Sequence, residues 1–166
     1  GRLYVTGSDL GRGHLFVIDP DTGRILHDWT VPAGVGDIVP AGDGQTVFIA
    51  NRPFSSVARM SVATGKEEVR VTVPSWPEAL ARDASGSLFV ASLRDGSVMR
   101  LNPTTLVVEA VRRLEEGINR LAVDERTRTL IVTNLWTHTI TGLSLEDLNI
   151  RFLLPVAKSP RAMAID

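Results

Sequence analysis

The sequence predicts an all-β fold: a β-propeller of four four-stranded repeat units of about 42 residues. Three observations predict it. Leu3-Tyr4-Val5-Thr6-Gly7 recurs as Val47-Phe48-Ile49-Ala50-Asn51, Leu88-Phe89-Val90-Ala91-Ser92 and Leu130-Ile131-Val132-Thr133-Asn134, at spacings of 44, 41 and 42 residues. Each run is followed by a polar loop, a second strand, a tight turn, a third strand and a corner with Pro or Gly. The turns carry Asp, Asn, Pro and Gly where those residues favour reversal of the chain.

Within a blade the strands are labelled A, innermost, to D, outermost. Residues 1–31 hold strands B, C and D alone: Leu3–Gly7, His14–Asp19 and Ile25–Val31. Gly7 stands where other units have Asn or Ser, and Ser8–Gly13 reads as a longer loop. The blade over 32–73 has A at Asp37–Val39, B at Val47–Asn51, C at Val57–Val62 and D at Glu67–Val73. Strand B is apolar at consecutive positions, as for a strand covered on both faces. In strand D, Val69, Val71 and Val73 alternate with Glu68, Arg70 and Thr72, the period of a half-exposed strand. The blade over 74–114 repeats this with Glu78–Ala81, Leu88–Ser92, Val98–Asn102 and Val107–Leu114. The blade over 115–156 has Asn119–Val123, Leu130–Asn134, Thr139–Leu145 and Asn149–Val156. Residues 157–166 then supply an orphan strand A, Arg161–Ile165.

This phase leaves two solutions. The last strand completes the first blade and closes a four-bladed ring, with Met163 beside Tyr4 and Val5. Otherwise the chain belongs to a ring of six to eight blades, and the remaining blades are its partners. The larger ring is the expectation, given the spread of propeller blade numbers.

Composition narrows the functions. A 43% hydrophobic content suffices for a core, and the net charge of −1 carries no basic stripe for nucleic acid. No apolar run reaches the roughly 20 residues of a transmembrane helix. Without Cys, neither a disulfide framework nor a thiolate metal site can form. A start at Gly1, inside a repeat and without a signal peptide, suggests a processed, excised or incomplete chain.

Leu130-Ile131-Val132-Thr133-Asn134 and Leu3-Tyr4-Val5-Thr6 resemble the Tyr-Val-Thr-Asn repeat of the YVTN β-propellers. Asp19-Pro20-Asp21-Thr22-Gly23, with Arg24 and Ile25, resembles that family's C–D connection. The resemblance covers all four units, with NHL-type and gluconolactonase/senescence-marker-like propellers as relatives. It implies a periplasmic or secreted binding or surface protein. The lactonase relatives imply an alternative: a metal-dependent hydrolase.

In a meander, A–B and C–D turns share one end of the blades, and B–C loops and D–A corners share the other. The second end carries the varied segments, so the site is expected there. Asp37, Glu78, Asn119 and Arg161 follow the corners at spacings of 41, 41 and 42, which puts them round one mouth of the channel. Oxygen donors suit Ca²⁺ or another divalent cation, with Glu78 and Asn119 as ligands. Arg161 suits an anionic group instead. The bland alternative is a wet channel mouth with no ligand and no cofactor. Arg52, Arg94, Trp136 and His138 on the B–C loops, with Trp76 at a corner, have the residue types of recognition surfaces. Their bland alternative is inter-blade packing and solvated tips. No His cluster has metal-ligand spacing, no Gly-x-Ser-x-Gly elbow occurs, and Glu115-Glu116 reads as a solvated pair. A redox propeller is a third class, with no Cys-x-x-Cys-His for haem. The expected function is therefore non-enzymatic binding of a small molecule or protein on the loop face.

Overall fold

The computed structural model describes residues 1–165. The first sheet has three strands: β1 (Leu3–Asp9), β2 (Arg12–Ile18) and β3 (Ile25–Val31). The second has β4 (Val35–Pro40), β5 (Thr46–Asn51), β6 (Ser56–Ser61) and β7 (Glu67–Thr72). The third has β8 (Pro77–Arg82), β9 (Leu88–Ser92), β10 (Ser97–Leu101) and β11 (Val108–Arg113). The fourth has β12 (Ile118–Asp124), β13 (Thr129–Asn134), β14 (Thr139–Ser144) and β15 (Ile150–Pro155). Every sheet is an antiparallel meander in chain order. Strands β4, β8 and β12 lie side by side, so the sheets fan out as blades of a partial propeller.

Burial explains the pattern of each strand. All of β5 and β9 is buried, because a neighbouring blade covers each face. On β7, Val69 and Val71 are half-buried while Glu68, Arg70 and Thr72 are exposed. Three apolar layers fill the three gaps between blades. Leu15, Val17 and Val31 meet Val47, Ile49 and Met60. Phe48 and Val57 meet Leu88, Val90 and Met99. Phe89 and Val98 meet Leu130, Val132 and Leu143. Full burial of a Phe such as Phe48 contributes about 2–3 kcal/mol before entropy is counted.

Loop hydrogen bonds fix the two ends. Val62 N donates to Gln45 O and Leu145 N to Arg128 O, which ties A–B and C–D turns together. At the other end Val73 N donates to Ser55 O, Leu114 N to Gly96 O and Val156 N to His138 O. The Arg52 and Gly23 loops therefore lie at opposite ends, as expected.

Two expectations are corrected. Residues 161–165 form no strand. Among the described residues β1 pairs with β2 alone, so Met163 does not lie against Tyr4 and Val5, the four-bladed alternative does not close, and the partial propeller agrees with the expected larger ring. A strand needs a ladder, and this segment has no partner strand. The corner before it keeps the conformation of the other corners: Ser159 has φ 55°, and Asn119 Nδ2 donates to Pro160 O at 3.1 Å. Asp166, the last residue of the expected strand, lies outside the described residues. The second correction concerns Ser8–Gly13, which is no loop. Leu10 (φ 37°) and Gly11 (φ 85°) make a two-residue turn, and β1 and β2 pair up to Asp9 and Arg12. Positive φ at both turn residues matches the twist of a hairpin, which lets the ladder run to its end.

Candidate functional site

The channel-mouth residues share a backbone device. Between β4 and β5 the register jumps from Val35↔Asn51 to Ile38↔Ile49, and Asp37 falls in the gap. Between β8 and β9 it jumps from Pro77↔Ser92 to Ala79↔Ala91, past Glu78. Between β12 and β13 it jumps from Ile118↔Asn134 to Arg120↔Thr133, past Asn119. A β-bulge re-aims the residue it frees from the ladder. Asp37, Glu78 and Asn119 are thus bulge residues at the loop-face end of three adjacent inner strands. Arg161 is not in this set: it is exposed and outside any strand.

Each bulge side chain has protein partners. Asp37 Oδ1 accepts from Ile38 N at 2.8 Å, and Oδ2 accepts from Leu80 N of the next inner strand at 2.9 Å. That bond satisfies an inner-edge N–H with no strand beyond it. Glu78 accepts from Arg52 Nη2 at 2.6 Å, in a pair 14% and 28% exposed. Asn119 is buried, and its Oδ1 accepts from Thr133 Oγ1 at 2.9 Å. A cation at this mouth would compete with partners already in place. The Glu78 carboxylate carries its counter-charge on Arg52, and the Asn119 oxygen is engaged inside its own blade. Among the described residues no group of three or more His, Asp or Glu side chains is arranged to hold a metal.

The corner residues repeat as a second layer. Gly34, Trp76, Gly117 and Ser159 hold equivalent positions, with φ of 82°, 65°, 104° and 55°. A Trp in the left-handed region is strained, by about 1–2 kcal/mol. The next layer lies over it. Pro53 packs on Gly34, the Arg94 guanidinium sits 4.0 Å above the Trp76 ring, and Trp136 covers Gly117. Trp136 remains 54% exposed. The structure thus brings Trp76, Arg94 and Trp136 into neighbouring stacks on the loop face. His138 is held apart as a corner element: its Nδ1 accepts from Ser159 N at 3.2 Å.

One cluster was not legible beforehand. His14 stacks on Phe16 and bonds Asp28 at 2.8 Å and Asp9 at 3.2 Å. The bond to Asp28, with help from Asp9, raises its pKa above the ordinary 6.5. Asp9 reaches it because the Leu10–Gly11 turn brings Asp9 opposite Arg12, two residues before His14.

No family model matches the sequence, and no curated protein matches it. Among solved structures, the chain is similar to a protein of unknown function from Bacteroides caccae. The TM-score is 0.74 at 13% identity, over 96% of this chain and 60% of that one. It is also similar to hydrazine synthase of Kuenenia stuttgartiensis. There the TM-score is 0.77 at 12% identity, over 92% of this chain and 45% of that one. At such identities the likeness shows the fold alone. The chain matches part of two longer propeller chains, spanning less than two thirds of either.

Proposed function

We propose that the chain is a non-enzymatic, YVTN-like propeller scaffold that binds a small molecule or protein across its loop face and channel mouth. The observation that carries this reading is the strained Trp76 beneath Arg94, beside the exposed indole of Trp136. Backbone strain is retained where the rest of the fold over-determines it, and such places concentrate at binding sites. Guanidinium and indole planes offer flat stacking surfaces and forked donors. The bulge residues Asp37, Glu78 and Asn119, with Arg52, supply a polar mouth beside them. Arg161 joins that mouth only if further blades draw its segment into an inner strand.

Titration of the chain with peptide and oligosaccharide panels, read by Trp fluorescence, tests the reading. Any ligand found this way should lose affinity by at least about tenfold in R94A or W136A. A substitution on the opposite end, Thr104→Ala, should change nothing. Lactone hydrolysis that depends on added calcium would overturn the non-enzymatic assignment.

A further inference from the structure

Two polar substitutions in the repeat pattern meet in one cleft. At the corner after strand D, the first and second blades carry Pro32 and Pro74, and the third carries Glu115. On strand C, the position held by Phe16, Ala58 and Met99 in the first three blades is taken in the fourth by Thr141, which is buried and the polar one of the four. Met99 fills the gap between the second and third blades. Thr141 is shorter than Met99 and polar. A cleft of about 400 Å³ lies beside it, between the third and fourth blades.

The walls of the cleft differ in chemistry. Val132, Thr141 and Leu153 form one cross-strand row on the fourth blade. Leu114 and Glu115 face it from the third. At the loop-face end stands Thr139, whose hydroxyl is 2.8 Å from that of Thr137. No Lys or Arg lines the cleft. Glu115 is exposed and has no ion-pair partner among the described residues.

We propose that this cleft binds a small organic cation, a primary ammonium on a short hydrocarbon body. The Glu115 carboxylate takes the charge, and the threonine hydroxyls accept remaining N–H bonds. Val132, Leu153 and Leu114 cover the hydrocarbon. An anion would meet Glu115, with Glu116 beside it in the chain, and no cation lines the cleft to balance them. A neutral chain would gain nothing from the carboxylate. Both walls belong to complete blades, so the site does not depend on how the ring continues. None of the loop-face stacking residues takes part, so it stands apart from the reading above.

The test uses n-butylammonium, with 1-butanol and butyrate as matched probes, followed by amide NMR shifts of the whole chain. Butylammonium should shift Thr141 and Leu153 saturably, more weakly as salt rises. Butanol should bind at least about fivefold more weakly, and butyrate not at all. E115Q should cost about fivefold in affinity. T141M, which restores the side chain of the preceding blade, should abolish binding. If T141M fails to fold, E115Q still decides, because Glu115 is exposed and its change opens no cavity. R94A should leave butylammonium affinity unchanged, which separates this site from the loop-face stack. Equal binding of butanol, unchanged affinity in E115Q, binding retained by a folded T141M, or no saturable shift with butylammonium would each overturn the proposal.

Discussion

Asn134 joins two segments of the fourth blade with one side chain. Its Oδ1 accepts from Trp136 N and Thr137 N, and its Nδ2 donates to Glu115 O and Glu116 O. One amide thereby closes the B–C loop and pins the corner before it. Asn51 has the same place in the second blade and is equally buried, yet neither of its side-chain polar atoms has a protein partner. Part of the reason is covalent. The residue matching Trp136 is Pro53, which has no N–H to give. Asn134→Ala should therefore destabilise by about 2 kcal/mol, since four hydrogen bonds of a buried amide go together. Asn51→Ala should cost no more than about 1 kcal/mol. Urea denaturation of the two variants checks the contrast, and equal losses would refute it.

Turns lock blades together as well as reversing the chain. Gly23 and Gly65 hold equivalent C–D positions, with φ of 68° and 66°. A Cβ on Gly23 would meet open space, whereas one on Gly65 would enter the Trp29 ring. Trp29 comes from the first blade and donates its indole N–H to Val62 O at 2.9 Å. Gly23→Val should cost about 1–2 kcal/mol, from the left-handed backbone alone. Gly65→Val should cost more and loosen the first blade, seen as faster hydrogen exchange in β2 and β3. The sequence alone shows these turns, and the strands too, because burial on both faces leaves consecutive apolar residues such as Val47–Ala50. It shows much less of what depends on register. The bulges at Asp37, Glu78 and Asn119, the Leu10–Gly11 hairpin and the Asp9–His14–Asp28 cluster follow from which residue pairs with which. Side-chain periodicity does not record that pairing. Trp76 is a related case: the repeat spacing aligns it with Gly34 and Gly117, and only the backbone shows that it keeps their positive φ.

Taken alone, residues 1–165 present an apolar blade face at each end of the fan. Leu3 and Val5 on β1 are exposed at one end, and Phe152 and Leu154 on β15 at the other. The first sheet also lacks an inner strand, so β1 presents a bare edge. Bare edges and apolar faces favour association. The chain should bind an apolar dye and self-associate as its concentration rises, by light scattering. Phe152→Glu with Leu154→Lys should reduce both, and a strictly monomeric, dye-negative chain would contradict this account of its ends. The inner strands carry a different consequence. A residue on a bulge is released from the alternation that governs the rest of its strand, so replacing it need not reset the ladder. Asp, Glu and Asn already occupy that place in three successive blades. When such a blade is duplicated, the copy inherits a position at the channel mouth whose side chain can change while the ladder stays paired. New ring chemistries can then arise one blade at a time, with the architecture left intact.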